Sequence, residues 1–394
     1  MIGRVIALQR DRPSGRAGIV VGLIGPVLVA LVLTALAALV QAVTQGNISD
    51  IVLLFGINAI MVVGFQSFVG NTGIVSFGHV AFMALGAYTA GVLSVPLELK
   101  AAVLPDLPGF LAHLELPLFW TLILGGTVAA ASALLTGAAI LRLSGAAASI
   151  ATLGLLVIVN NVLNHAHAIT RGPQSFYGVP QSTTFEWVFG TLVVAVALSA
   201  LLKWSRTGLR ARAVKDDPVA AEASGVRRLP ARLGPFMFSA FLTGVAGALY
   251  AQDLTAFSPD SFFVAQITGL LVMAIIGGLG SISGVLLGAT LISVLAELLR
   301  HVESGFQVGS AHVQAPIGIS QAMLGALLIV MLRWRPDGIL GALELELDPR
   351  RWRRTEGPGR AAAPAPAGAA AAAATGLGEA AAPGVEDVPT ERGS

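Results

Sequence analysis

Polar residues between positions 66 and 79 are the first candidates for chemistry in this chain, because they lie in or beside strongly apolar runs. Their amides, hydroxyls and imidazole could bind a polar solute inside a membrane. The set is Gln66, Asn71, Thr72, Ser76 and His79. Glycines at 70, 73 and 78 interrupt the helical pattern, and broken helices at membrane depth occur only beside protein or a water-filled cavity. Two interpretations stay open: a broken helix along a solute path, or a short turn between two ordinary spans.

The charged loop 203–234 is the second candidate. Its sequence predicts two short helices joined by an acidic turn, the first over Gly208 to Lys215. Asp217 is a good N-cap for the second helix, Pro218 suits its first position, and Gly225 stands where it should end. Small side chains on this helix would leave a shallow surface for another protein, whereas a plain basic loop would only contact lipid headgroups. The residues assigned to this surface are Asp217, Pro218, Ala220, Ala221, Glu222 and Gly225.

A third pattern concerns helix packing rather than chemistry. Gly280, Gly284 and Gly288 recur every fourth residue. In a helix this spacing places all three on one face, which lets another helix approach closely. We predict a packing face within the bundle, with a surface facing a partner subunit as the alternative.

Several kinds of chemistry are excluded by residues the sequence lacks. There is no cysteine. His165 and His167 have no third metal ligand at a recognisable spacing, so neither a metal site nor a catalytic group is predicted. None of the lysines follows a glycine, whereas a phosphate-binding P-loop needs a Gly-Lys pair. We therefore expect no enzyme: any ATP would be hydrolysed by another polypeptide, and this chain would bind no cofactor itself.

Composition assigns the chain to the membrane. Of its 394 residues, 55% are hydrophobic and only 12% are charged, against roughly 25% charged residues in soluble domains. The net charge of +2 gives no reason to expect nucleic-acid binding. The sequence predicts an all-α, polytopic bundle of about ten transmembrane helices in a lipid bilayer. The apolar runs are about 18–43, 51–69, 80–95, 118–141, 146–163, 187–202, 235–254, 265–280, 283–300 and 317–333.

Basic residues predict the orientation and the domain limits. Lys and Arg concentrate in 203–232 and 333–354, and the alternate segments hold few of them. By the positive-inside rule, both termini are therefore expected to be cytoplasmic. Residues 1–17 are predicted to form a basic cytoplasmic N-terminus and 18–341 the transmembrane domain. Residues 342–394 are predicted to form a cytoplasmic tail, disordered from about 357 because it is rich in Ala, Pro and Gly.

Four segments resemble one family in the expected order, from Ile51 to Gly341. They read GNTGIVSFGHVAFMALGAYTAGVL, RTGLRARAVKDDPVAAEASGV, SPDSFFVAQITGLLVMAIIGGLGSISGVLLGA and LRWRPDGILG. Together they resemble permease subunits of branched-chain amino acid ABC importers of the LivM type. Such importers carry a coupling motif of Glu-Ala-Ala, three residues, then Gly. Ala220, Ala221 and Gly225 match it, while Val219 stands in the place of the Glu.

The resemblance implies a pore-forming subunit of the bacterial plasma membrane. Its implied partners are a homologous second permease, two cytoplasmic ATP-binding subunits and an extracytoplasmic solute-binding protein. The spans around 64–91 and 265–288 would line the path, and the helix at 217–225 would receive the motion of the ATPases. Related permeases handle urea, amides and other small organic solutes, so these stay as alternatives to branched-chain amino acids. An ion-coupled secondary transporter is the alternative from another class, although the spans hold few of the charged residues it would need.

Overall fold

The protein is described by a computed structural model that covers residues 16–43, 48–304, 306–308, 311–313, 316, 318–334, 338–339 and 341. The expectations for the first fifteen residues and for the tail 342–394 lie outside these residues. In the first half of the chain the helices are α1 (Arg16–Val43), α2 (Ile48–Thr72), α3 (His79–Ser94), α4 (Leu97–Val103), α5 (Gly109–Ala112), α6 (Leu118–Ile140), α7 (Ala146–His165) and α8 (His167–Thr170). In the second half they are α9 (Phe185–Trp204), α10 (Arg206–Asp216), α11 (Pro218–Ala223), α12 (Arg228–Leu254), α13 (Val264–Gly277), α14 (Ile282–Ser304) and α15 (Ile319–Trp334).

Two smaller elements complete the described residues. A turn of 3-10 helix (Pro259–Phe262) precedes α13. Strands β1 (Phe306–Val308) and β2 (Ala311–Val313) form an antiparallel hairpin. The rest of the regular structure in the described residues is α-helical, so the prediction of an all-α bundle is confirmed.

Eight helical segments among the described residues are long and apolar enough to cross a bilayer. They lie in α1, α2, α6, α7, α9, α12, α13 with its preceding turn, and α14. Helix α3 and most of α15 form two shorter apolar helices. These ten helices coincide with the ten predicted apolar runs. A multi-pass helical membrane bundle is therefore confirmed, while the cytoplasmic location of its ends stays a prediction.

Helix α12 lies at the centre of the bundle, where it packs against α2, α3 and α6. The contact is close because glycines stand at the crossings. A Cβ atom added to Gly86 of α3 would overlap the carbonyl oxygen of Gly244 on α12, and one added to Gly244 would lie 2.6 Å from the Cβ of Ala129 on α6. Without a hydrophobic effect between helices in lipid, such backbone-to-backbone packing is a main source of stability.

The small-residue motif at 280–288 is only partly a helix face. Gly284 and Gly288 lie on α14 and face α13, where a Cβ atom at either position would overlap or crowd the backbone of Gly277. The prediction was wrong for Gly280, which lies in the turn between the two helices. Helix α13 ends before it because Gly278 has φ +105°, a conformation that stops a helix.

An aromatic cluster closes the bundle at the end opposite the loop 203–234. Phe176 and Phe257 exchange two backbone hydrogen bonds, of 2.7 and 3.0 Å, and their rings stack 5.4 Å apart. Tyr88 of α3 presents its ring edge-on to both rings of this pair, and Phe262 packs against the rings of Phe257 and Tyr88. Ring packing thereby holds α3 to the segment that follows α12.

We predict that Gly86→Ala destabilises the protein, because one methyl group cannot fit between α3 and α12. Overpacking of this kind costs about 1–3 kcal/mol. The matched control is Gly154→Ala on α7, where a Cβ atom would meet nothing within 4 Å. Thermal unfolding of the purified protein in detergent should show a lower midpoint for Gly86→Ala and an unchanged one for Gly154→Ala. Equal midpoints for both variants would show that the crossing is looser than described.

Candidate functional site

The interrupted segment between α2 and α3 is a six-residue connection, 73–78. Helix α2 ends at Thr72, and Gly73 follows with φ +71°, which a residue with a side chain rarely adopts. Asn71 donates to the carbonyl of Ser67 at 2.8 Å, and Thr72 donates to that of Phe68 at 2.9 Å. Both side chains thus bond to their own helix. This geometry corresponds to the second interpretation of the sequence, a short turn between two helices.

All five polar residues proposed for a solute path are buried, none more than 4% exposed. The Gln66 amide donates to the carbonyl of Leu279 at 3.4 Å, in the turn between α13 and α14. Ser76 accepts from the backbone of Gly78 and bonds to His79. Each therefore has a partner within the chain, and none lines the polar cleft described below.

His79 is the centre of a hydrogen-bond chain that joins three helices. Its Nε2 lies 2.6 Å from the hydroxyl of Ser239 on α12, and that hydroxyl donates to the carbonyl of Gly64 on α2 at 2.6 Å. Ser239 must therefore accept a hydrogen from Nε2, which leaves Nδ1 to accept from Ser76 at 2.9 Å. Four phenylalanine rings surround the imidazole. His79 is a fully bonded packing residue at this position.

The loop 203–234 folds locally as its sequence predicts. Helix α10 covers the predicted basic helix and extends it at both ends. The Asp217 carboxylate accepts from the backbone of Val219 at 2.9 Å and of Ala220 at 3.0 Å, which makes it the N-cap of α11. Pro218 occupies the first helical position, and Gly225 beyond the helix has φ +81°. The cap, the proline and the terminating glycine are all confirmed.

The two faces of α11 differ in a way that the sequence did not reveal. Ala221 is 5% exposed and packs with Val214 of α10 and Ala231 of α12. Val219 is 71% exposed, and Ala220 also faces outward. Ala221 therefore anchors the helix to the bundle, while Val219 and Ala220 form its free surface. A six-residue helix has too little periodicity for a sequence pattern to separate these faces.

Two lysines of the loop hold the two helix breaks. The Lys215 ammonium donates to the carbonyl of Gly70 in the last turn of α2 at 3.0 Å, and its methylene chain covers Gly73. The Lys203 ammonium donates to the carbonyl of Gly280, between α13 and α14, at 3.0 Å. Lysines suit the ends of helices, where carbonyls lack partners. Burial against the helix end lowers the pKa of Lys215, although part of this side chain stays exposed.

Three arginines of the loop also have structural partners. Arg228 and Glu222 form a two-pronged ion pair, with Nη2 donating to Oε2 at 3.0 Å. Arg212 donates to the carbonyl of Lys203 at 2.5 Å. Arg232 donates to the carbonyl of Leu143, between α6 and α7, at 3.2 Å. Glu222 therefore serves the internal folding of the loop, and only the density of charge in the sequence hinted at these contacts.

Comparison with known proteins finds similarity along most of the chain. The model of a family described as "Branched-chain amino acid transport system / permease component" matches residues 47–332. The chain is 30% identical to the LivM permease protein of Salmonella typhimurium over 76% of its own length and 71% of that protein. It is 30% identical to Escherichia coli LivM over 79% and 74%, and 24% identical to Escherichia coli LivH over 73% and 92%. All three are named high-affinity branched-chain amino acid transport system permease proteins. No solved structure matches the chain significantly.

We predict that His79→Ala lowers stability, because it opens a cavity among four rings and removes one hydrogen bond from each of the hydroxyls of Ser76 and Ser239. The expected loss is about 2–5 kcal/mol. His165→Ala is the matched control, since that exposed histidine bonds only to a carbonyl of its own helix. Thermal unfolding in detergent measures both. A variant that keeps wild-type stability and loses only transport would instead make His79 a residue of the solute path.

Proposed function

This chain belongs to the family of permease components of branched-chain amino acid transport systems, and on that premise we propose that the solutes it carries are branched-chain amino acids. It is a LivM-type permease subunit of an ATP-binding cassette importer, and a multi-pass protein of the bacterial plasma membrane. The proposal of the solutes rests on the relatives, whose names specify them. Urea, short amides and other small organic solutes are the alternative cargo. The family match disfavours an ion-coupled secondary transporter.

The proposed assembly has five subunits. Similarity to both LivM and LivH supports pairing with a second, related permease. Two cytoplasmic ATP-binding subunits would supply the energy, and an extracytoplasmic binding protein would deliver the solute. In this arrangement the chain has no ATPase site and binds no cofactor, since the partner subunits use the ATP.

Helix α11 is the proposed contact for an ATP-binding subunit. The observation that carries this proposal is that Val219 and Ala220 are exposed on α11. The loop that contains this helix also bonds to the breaks after α2 and α13. A partner resting on this surface would need complementary shape rather than charge. Movement of α11 would pass through Ala221 and α10 to Lys215 and Lys203, and from these lysines to the ends of the spans. The loop would thereby couple ATP hydrolysis to the arrangement of the spans.

The solute path is proposed to lie on a face shared with the second permease. In the described residues, the space between α12 and its neighbours is filled by close glycine contacts and by the bonds of His79. The five polar residues named from the sequence have partners within the chain, which favours a structural role for them. A path between two subunits would open and close as the helices around the two breaks change position.

We predict that Ala220→Arg abolishes uptake while leaving membrane insertion intact, because a long charged side chain would prevent close docking on α11. Ala220 tests the contact better than the buried Ala221, whose replacement would disturb the loop itself. The matched control is Ala146→Arg, an exposed alanine at the same end of the bundle, near the carbonyl that Arg232 binds. Uptake by cells and co-purification with the ATP-binding subunits are the measurements. Normal uptake by Ala220→Arg would contradict the docking role of α11.

The solute is tested with the assembled transporter in proteoliposomes. We expect leucine, isoleucine or valine, added with the binding protein, to stimulate ATP hydrolysis several-fold. Urea and acetamide should leave the rate at its basal value. The control omits the binding protein, and all rates should then stay basal. Stimulation by urea or acetamide alone would overturn the proposed solute class while leaving the importer function in place.

A further inference from the structure

A polar cleft lies between α10 and the beginning of α12, beside the end of α11. Its volume is about 350 Å³. Thr207 and Arg210 of α10 line one side, and Ser224, Gly225 and Arg227 line the other. The cleft is separate from the exposed Val219 and Ala220, which carry the proposed ATPase contact.

The charge of the cleft is one-sided. Two arginines and two hydroxyl groups line it, and none of its lining residues is acidic. The first turn of α12 also lacks an acidic residue. An anion entering the cleft would therefore meet hydrogen-bond donors and positive charge without a competing carboxylate on its walls.

The two arginines differ from most basic residues of the loop. Lys203, Arg212, Lys215, Arg228 and Arg232 each bond to a carbonyl or a carboxylate of the chain. Arg210 and Arg227 are exposed, and within the described part of the chain neither makes a side-chain hydrogen bond or ion pair. Arg206 shares this freedom on the same helix but does not line the cleft. Bonds within the chain thus explain the positions of five of the loop's eight basic residues. Two of the other three, Arg210 and Arg227, line this cleft.

We propose that this cleft binds a phosphate group, with an anionic lipid headgroup as its source. Guanidinium groups bind phosphate oxygens through paired hydrogen bonds, and the Thr207 hydroxyl can donate to the same group. Helix α12 has 27 residues and is therefore about 40 Å long, whereas the hydrocarbon core is about 30 Å thick. Its first turns, which form one wall, carry Arg228 and Arg232 and precede the apolar run 235–254, so we place them in the headgroup layer. That depth favours a lipid phosphate over an acidic side chain of a cytoplasmic partner.

Binding there would affect the position of α11. Ser224 and Gly225 directly follow that helix, so a phosphate held between them and Arg210 would fix the end of α11 against α10 and α12. The membrane would then support the surface on which the ATP-binding subunit is proposed to rest. Anionic lipid would increase the fraction of ATP hydrolysis that is coupled to uptake.

The test measures retention of fluorescent phosphatidylglycerol by the purified transporter in phosphatidylcholine nanodiscs. We expect the double variant Arg210→Gln, Arg227→Gln to retain this lipid about tenfold more weakly or worse, because it removes both guanidinium groups that would hold the phosphate. Arg206→Gln is the matched control and should retain it like the wild type. The single variant Arg210→Gln, at an exposed position, replaces the double variant if the latter does not fold. Displacement of the labelled lipid by inorganic phosphate would assign the site to free phosphate and keep the phosphate chemistry.

Three results would overturn the proposal. Equal losses in Arg206→Gln and the double variant would show that diffuse surface charge attracts the lipid. Unchanged retention in the double variant would show that the cleft does not bind it. Unchanged retention combined with failure of the double variant to co-purify with the ATP-binding subunits would show that the cleft holds an acidic group of that partner.

Discussion

A helix that ends beside a membrane leaves backbone carbonyls without hydrogen-bond partners, and in this protein lysines bond to one such end and to the turn that follows another helix. Gly70 lies in the last turn of α2 and Gly280 in the turn after α13, and their carbonyls accept from Lys215 and Lys203. Water or side chains would otherwise have to satisfy these groups, since irregular backbone is tolerated near hydrocarbon only when it is bonded. The loop that carries the lysines is therefore tied to the transmembrane helices. A change in the position of the loop would move the two helix breaks, and a change at either break would move the loop.

The packing around α12 also reflects the lipid that surrounds the helices. Lipid gives helices no hydrophobic reason to associate, so the stability of the bundle rests on close backbone packing and on satisfied polar groups. Gly86 and Gly244 allow the close backbone packing. The hydrogen bonds that run from Ser76 through His79 and Ser239 to Gly64 satisfy the polar groups. Polar residues at membrane depth are usually taken to indicate a solute path. Here they connect helices, because an imidazole with both nitrogens bonded stabilises a core without exposing a charge.

The loop 203–234 separates its residues into three roles. Lys203, Lys215, Arg212, Arg228 and Arg232 hold the loop together and attach it to the spans. Ala221 fixes α11 to its neighbours, which leaves Val219 and Ala220 exposed for a partner. Arg206, Arg210 and Arg227 make none of these bonds, and Arg210 and Arg227 line the cleft that we propose binds a phosphate. A basic loop of this kind satisfies the positive-inside rule whatever contacts its basic residues make. Only the basic residues without partners inside the chain are available to bind another molecule.

The sequence alone determined the class of fold, the approximate limits of the ten apolar helices, the family, and the local form of α11 from Asp217 to Gly225. These features depend on composition, on runs of apolar residues and on capping chemistry, all of which act over short stretches of chain. Tertiary structure decided that His79 is a packing residue, that Gly280 lies in a turn, that Ala221 faces inward, and that two lysines hold the helix breaks. Gly280 lies in a turn because the positive φ of Gly278 ends α13. For the other residues the reason is a distant partner: His79, Lys203 and Lys215 bond to groups 77 to 160 residues away, and Ala221 packs against two other helices. Spacing along the chain carries no record of which carbonyl or side chain such a partner will be.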